Sequence, residues 1–137
     1  MTFKPHEIAF LKSVELGRLA TIAPDGTPQN SPVAFSYNQE LGTIDIPGYR
    51  MSSTRKFRNL SHNNRVAFVV DDIVSREPWR VRCLEIRGTA EQATVTHTGG
   101  GQLDPAIIRI TPKRIITFGI DDQDTEPHDL VPDSREA

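Results

Sequence analysis

Apolar and polar residues alternate over short stretches through most of this chain, and turn residues interrupt the alternation every eight to twelve positions or so. That rhythm predicts strands. The exception comes first: Ile8, Phe10, Leu11 and Val14 recur near the 3.6-residue period, so residues 5–15 are expected to form a helix. Pro5 suits its first turn, Glu7 favours its N-terminus and Gly17 ends it. Residues 18–23 then read as a strand, Pro24-Asp25-Gly26-Thr27 as a turn, and residues 28–37 as a second strand. Pro28 and Pro32 mark that second strand as an edge or a bulged one. After a turn at 38–42, residues 43–47 form a third strand of an antiparallel meander.

The pattern changes at residues 52–61. Ser and Thr precede a helical run there, and Phe57 and Leu60 fall on one face. Residues 65–71 are almost continuously apolar, which predicts a strand buried on both faces. Residues 72–78 read as a connection, and residues 79–94 as a long strand with a bulge or bend at Gly88. A flexible loop is expected at Thr98-Gly99-Gly100-Gly101-Gln102. Two closing strands, 106–110 and 114–118, are expected around Thr111-Pro112-Lys113. Six or seven antiparallel strands with short helices point to a mainly β fold, a closed or half-closed barrel. The length of 137 residues fits one domain.

Charge adds a division that hydropathy does not show. The net charge is −2, yet residues 121–137 carry −6 and residues 1–120 carry +4. The barrel is expected over residues 1–120, followed by an acidic, disordered or loosely docked tail over 121–137, whose two prolines and few apolar residues cannot offset the entropy of ordering. A cationic body suits an anionic ligand. No apolar run approaches the ~18 residues of a membrane span, and the first residues lack the apolar stretch of a signal peptide. A single cysteine, Cys83, allows no internal disulfide and no thiolate-rich metal site, so a reducing cytoplasmic setting is expected.

Candidate chemistry concentrates in Ser53-Thr54-Arg55-Lys56, at a helix start following a strand. Free backbone N–H groups, hydroxyls and two cations make an anion site there; plain capping with solvated cations is the competing reading. Arg50 and Arg58 lie close by in sequence. His6, His62, His97 and His128 have no ligand spacing and read as solvated or capping residues. Cys83 reads as an inert strand thiol. Trp79-Arg80 is either a core or interface anchor or a stacking platform for a planar ring. The nine aromatics (six Phe, two Tyr, one Trp) fall mostly at expected core positions, which argues against a nucleic-acid-binding barrel.

In order and spacing these segments resemble the pyridoxamine 5′-phosphate oxidase-like, split β-barrel family, also called FMN-binding-protein-like. The resemblance covers about residues 7–120. It runs through Leu19-Ala20-Thr21-Ile22-Ala23-Pro24-Asp25-Gly26-Thr27 and on to Val33, then Ser53-Thr54-Arg55-Lys56-Phe57-Arg58-Asn59-Leu60, Ile86-Arg87-Gly88-Thr89 and Ile110-Thr111-Pro112-Lys113. It implies that Thr54, Arg55 and Lys56, with Ser53, grip a cofactor phosphate. It also implies that Gln29, Ser31, Pro32 and Val33 form a cofactor segment, with Asp45, Ile46 and Pro47 giving third-strand backbone contacts. Ser31 to Val33 and Ile46 would line the ring. Members are typically homodimers with the cofactor at the interface, so Trp79 and Arg80 would reach the partner's cofactor. The chain lacks the C-terminal segment that binds pyridoxal phosphate, so vitamin B6 oxidation is not expected. The compact form is more similar to the short oxidoreductases that use the deazaflavin coenzyme F420.

The resemblance therefore implies an F420- or FMN-dependent oxidoreductase moving a hydride to or from a small conjugated substrate, with no nucleic-acid or membrane partner and no assigned catalytic acid or base. The alternative is a non-catalytic flavin or deazaflavin carrier; a haem barrel is disfavoured by the dispersed histidines.

Overall fold

A computed structural model describes residues 2–97, 101–122 and 124–137. It contains one antiparallel sheet of eight strands in the order β2-β1-β5-β6-β7-β4-β3, with β8 added to β7. The strands are β1 (Leu16–Ile22), β2 (Pro28–Ala34), β3 (Ser36–Asn38), β4 (Thr43–Ile46), β5 (Arg65–Arg76), β6 (Trp79–Thr94), β7 (Ala106–Phe118) and β8 (Asp133–Glu136). Two α-helices accompany them, α1 (Pro5–Ser13) and α2 (Arg55–Asn59), and a 3-10 turn, Met51–Ser53, leads into α2. The mainly β barrel expected from the hydropathy pattern is what forms. Among the described residues no helix is long and apolar enough to cross a membrane.

Inward positions alternate along each strand, as the pleat requires. Leu19, Val33, Ile44, Ile46, Phe68, Val70, Leu84, Ile86, Ile108 and Ile110 meet in one core, which α1 covers with Phe10 and Leu11. The expected burial of residues 65–71 on both faces is corrected. Val66, Phe68 and Val70 are buried, whereas Ala67 and Val69 sit half-exposed on the outer face. Strand β5 also continues through the expected connection at 72–78 to Arg76, pairing with β6 up to Trp79.

The two closing strands expected at 106–110 and 114–118 are one strand, β7. Its register against β6 slips between Arg87, opposite Arg114, and Gly88, opposite Pro112, which leaves Lys113 as the extra residue of a bulge. A bulge tolerates proline where a continuous ladder does not. Gly88 is required by space: a Cβ there would lie 2.2 Å from the Thr111 carbonyl oxygen. The expected second strand also divides, at Phe35, into β2 and β3. The Thr98-Gly99-Gly100 part of the expected loop lies outside the described residues.

The expectation of a disordered or loosely docked tail is corrected most firmly. β8 pairs along β7 from Arg114 to Thr117, and Arg135 reaches under α1. Its guanidinium donates to both oxygens of Glu7, each at 2.7 Å, and to the Thr2 carbonyl at 3.0 Å. Glu7, expected only to favour the helix N-terminus, is fully buried and also accepts from the Lys4 backbone N–H at 2.8 Å. The acidic tail is thus held by its one arginine and by strand pairing, a route that composition does not reveal.

A second ion pair ties β4 to β7. Asp45 accepts two bonds of 3.1 Å from Arg109, plus bonds from Asn38 and Thr43. Burial pushes the Asp45 carboxyl up, but the bonds from Arg109, Asn38 and Thr43 and the guanidinium charge outweigh it and hold the group below its ordinary value.

Two outcomes follow from these ties. Arg135→Ala leaves Glu7 buried without its cation and is expected to lower unfolding stability by about 2–4 kcal/mol, read as a fall in the urea midpoint; Glu7→Gln added to it recovers part of the loss. Asp45 binds its proton less readily folded than unfolded, so its contribution is complete above the unfolded pKa of about 3.9 and is lost as pH falls through the lower folded value. Asp45→Asn is therefore expected to flatten the acid limb of the stability–pH curve below about pH 4, with equilibrium unfolding at several pH values as the measurement.

Candidate functional site

Helix α2 packs beside the β1–β2 hairpin, and a cavity of about 630 Å³ opens between them. Ala23, Pro24, Asp25 and Thr27 of the hairpin turn form one rim; Arg55, Arg58, Asn59 and His62 form the other, with Gln29 between. The turn is local chemistry: Gly26 takes φ +88°, and Asp25 accepts from the Thr27 N–H at 3.0 Å. That bond holds the Asp25 carboxyl below its usual range, so the one acid of the rim stays ionised and turned onto its own backbone.

The cations opposite have no such partner. Among the described residues Arg55 and Lys56 make no salt bridge or side-chain hydrogen bond, and Arg58 donates only to the Thr54 carbonyl at 3.4 Å. The spacing explains the pair: Arg55 and Asn59 are four apart and Arg55 and Arg58 three apart, which places all three on one side of the helix. Asn59 is buried, and its amide nitrogen donates to Thr21 Oγ1 at 3.0 Å and to Gln29 Oε1 at 2.8 Å. Unpaired guanidinium groups beside a held amide fit an anionic ligand of the phosphate or carboxylate kind.

The structure sorts the residues singled out from sequence. Gln29 and Arg55 meet in the cavity. Lys56 is adjacent but half-buried outside its lining. Thr54 is the helix N-cap: its hydroxyl donates to the Met51 carbonyl at 2.7 Å and accepts from the Phe57 N–H at 3.3 Å, so the capping reading holds for that side chain. Ser53 is exposed on the preceding turn. Helix α2 has only five residues, so its cations, not a macrodipole, supply the positive field.

The ring-lining expectation is corrected in part. Ser31 shares the Gln29 face and is half-buried, whereas Pro32 points to the opposite face. Val33 and Ile46 are core residues, at 6% and 0% exposure, with almost no side-chain surface to offer a ring. Trp79 and Arg80 lie at the far end of the sheet. Ala20 pairs with Ala67 near the cavity and Trp79 with Arg76, nine residues further along β5; at ~3.3 Å per residue that is roughly 30 Å. Arg80 there donates to the Thr125 carbonyl at 2.7 Å. Sequence reasoning missed Asn59 and His62, although the i, i+4 step from Arg55 to Asn59 carried the signal.

The model of the pyridoxamine 5′-phosphate oxidase family matches residues 3–118. The chain belongs to that family. A 5a,11a-dehydrotetracycline/5a,11a-dehydrooxytetracycline reductase from Streptomyces rimosus subsp. rimosus is 46% identical over 125 residues, 88% of this chain and 86% of the relative. Among solved structures, an F420 reductase superposes with a TM-score of 0.60 at 27% identity, covering 80% of this chain and 94% of the other. A conserved hypothetical protein from Mycobacterium tuberculosis gives a TM-score of 0.70 at 20% identity, covering 90% and 89%, a likeness of fold. Within this family setting the cap at Thr54 has a checkable weight. Thr54→Ala is expected to cost about 1 kcal/mol of stability by chemical denaturation, and Thr54→Ser to restore it, because the cap needs only a hydroxyl oxygen.

Proposed function

We propose that this protein is a deazaflavin-dependent reductase that saturates a carbon–carbon double bond conjugated to a carbonyl in a small, polycyclic substrate. The observation that carries the reading is the basin of unpaired cations, Arg55 and Arg58, facing the held amide of Gln29. The 46% identity to a dehydrotetracycline reductase supports the substrate class, and the likeness to an F420 reductase supports the cofactor. FMN shares the ribityl phosphate and is the second candidate cofactor. F420 is favoured by the width of the cationic rim, since Arg55 can take the phosphate while Arg58 and His62 remain for further anionic groups.

Reduced F420 supplies the hydride when bound. Arg55 holds the phosphate end and Gln29 orients it by donating N–H bonds. Arg58, on the same rim, would be left to hold the anionic tail. The enone β-carbon accepts the hydride, the double bond is lost, and solvent protonates the enolate formed at the α-carbon. A hydride and one solvent proton, two electrons and two protons in all, would thus pass into the substrate with no side chain required to change protonation state.

We further propose that the working unit is a cytoplasmic homodimer. Ile73, Val74 and Trp79 are exposed together at the end of the β5–β6 hairpin. Within one chain Trp79 and Arg80 cannot reach the cavity near Arg55. A second copy could bring that hairpin over it, and Trp79 would then cover a ring that Val33 and Ile46 cannot touch.

Titrating F420 and FMN separately into the full-length protein tests the cofactor, with fluorescence as the readout. Sub-micromolar binding of F420 is expected, and weak binding of both would overturn the reading. Arg55→Ala is expected to weaken binding about 10–100-fold, as loss of a charge-assisted hydrogen bond does, and Lys56→Ala distinctly less. Reduced F420 mixed with a dehydrotetracycline should be reoxidised faster with protein than without; tight binding with no acceleration would identify a carrier instead.

A further inference from the structure

We infer that Asn59 is the positioning residue of the anion cavity, setting the Gln29 amide so that its N–H groups, and not its oxygen, face the ligand. This rests on the reading of the cavity as the cofactor-phosphate site. Gln29 and Thr21 lie opposite each other across β1 and β2. Asn59 closes over both from α2, using one amide hydrogen for Thr21 Oγ1 and the other for Gln29 Oε1. It is 2% exposed, so these bonds form away from competing water.

The geometry of a planar amide does the rest. Its oxygen and nitrogen diverge from one carbon, so fixing the oxygen towards α2 directs the nitrogen away from α2. Gln29 Nε2 donates to no described residue, and Gln29 lines the cavity. A free glutamine would present either end, and its oxygen would repel an anion. With Asn59 in place the Gln29 amide adds its N–H groups to the guanidinium donors of Arg55 and Arg58, across the cavity from Asp25, whose carboxylate accepts from the Thr27 N–H. A ligand rich in acceptor oxygens, a phosphate ester above all, is the class that these donors select. Asn59 thus acts on the ligand's recognition through Gln29, from its own place in the cavity wall.

The test separates positioning from simple support of the fold. In the full-length protein labelled with 15N, inorganic phosphate is titrated while the side-chain amide signals of the glutamines are followed, Gln29 being assigned by its loss in Gln29→Ala. Wild type is expected to show the Gln29 amide pair shifting with phosphate. In Asn59→Ala the pair should move towards free-glutamine positions and lose its phosphate response. If Asn59→Ala does not fold, Asn59→Asp keeps the shape but offers only oxygens, inverts the Gln29 amide and should likewise abolish the response. A wild-type Gln29 amide that phosphate leaves unmoved overturns the proposal, as does a response that survives in the variant.

A cycle with F420 or FMN gives the second readout. Asn59→Ala is expected to weaken binding about fivefold in the wild-type background, the effect of one lost hydrogen bond, and less than twofold in Gln29→Ala. Equal losses in both backgrounds would make Asn59 merely structural and overturn the inference. Should neither cofactor bind wild type while phosphate still shifts the Gln29 amide through Asn59, the cofactor reading fails and the positioning role stands.

Discussion

Nothing larger than hydrogen fits on residue 88. The Thr111 carbonyl approaches so closely that β6 and β7 can pass each other only with glycine there and with Lys113 pushed out of register. That bulge divides β7 into two working halves. The half before it pairs with β4, through Ile44 opposite Ile110 and Ile46 opposite Ile108. The half after it pairs with β8, from Arg114 to Thr117. One strand thereby changes partner along its length, which curves the sheet around its core. The position of β4 fixes where the chain leaves towards Met51 and α2, so the placement of Arg55 depends on a contact in a distant part of the sheet.

The electrostatics follow from the same scaffold. Five of the eleven acids of residues 1–120 are engaged by arginines: Glu7 by Arg135 of the tail, Asp45 by Arg109, Asp72 by Arg82, Asp71 by Arg18 and Glu85 by Arg87. Asp104 is engaged differently, by the backbone N–H of Ala106 and by Ser52, which fastens the segment before β7 to the turn ahead of α2. Among the described residues none of these acids pairs with Arg55, Lys56 or Arg58, so the cations of α2 keep their charge free for a ligand. A positive patch made in this way depends on the acids of the sheet being engaged by other partners, which leaves Arg55 and Arg58 open to an anion.

The sequence carried the sheet well and the site less evenly. Strand alternation located β1, β4 and most of β6, and the glycine inside the long strand pointed to the bulge. It could not say that Pro112 sits within that bulge and does not end a strand, since proline signals a break in either case. Nor could it place β8: a stretch of −6 charge looks unfoldable until Arg135 meets a carboxylate that lies 128 residues earlier in the chain. At the site, Arg55 and Gln29 were legible from motif and family spacing. Thr54 was legible as a hydroxyl before a helix, but only the bonds to Met51 and Phe57 decide between a cap and a ligand group. Pro32 and Val33 were grouped with Gln29 by the family resemblance; the two-residue period of a strand puts Pro32 on the opposite face, while Val33 shares the Gln29 face and is buried in the core.

The character of the acids says something about the chemistry. Where a carboxyl is displaced here, it is displaced downward: Asp25 by the Thr27 N–H, Asp45 by its bonds to Arg109, Asn38 and Thr43 against the cost of burial, Asp104 by Ala106 and Ser52, and Asp133 by Lys4. A carboxylate stabilised by donors is a poor proton source at neutral pH, and three of these four serve to hold elements together, with the fourth shaping the turn at the cavity rim. The protein is well equipped to keep an anion still, through two guanidinium groups and an amide whose direction is fixed from behind. Holding one end of a cofactor is what a hydride donor needs from its protein, because rate then comes from the distance and angle at which the ring meets its substrate. On the proposed reading an asparagine suits the place behind Gln29: a neutral amide donates to Gln29 Oε1 without adding a charge that would compete with an anion for Arg55.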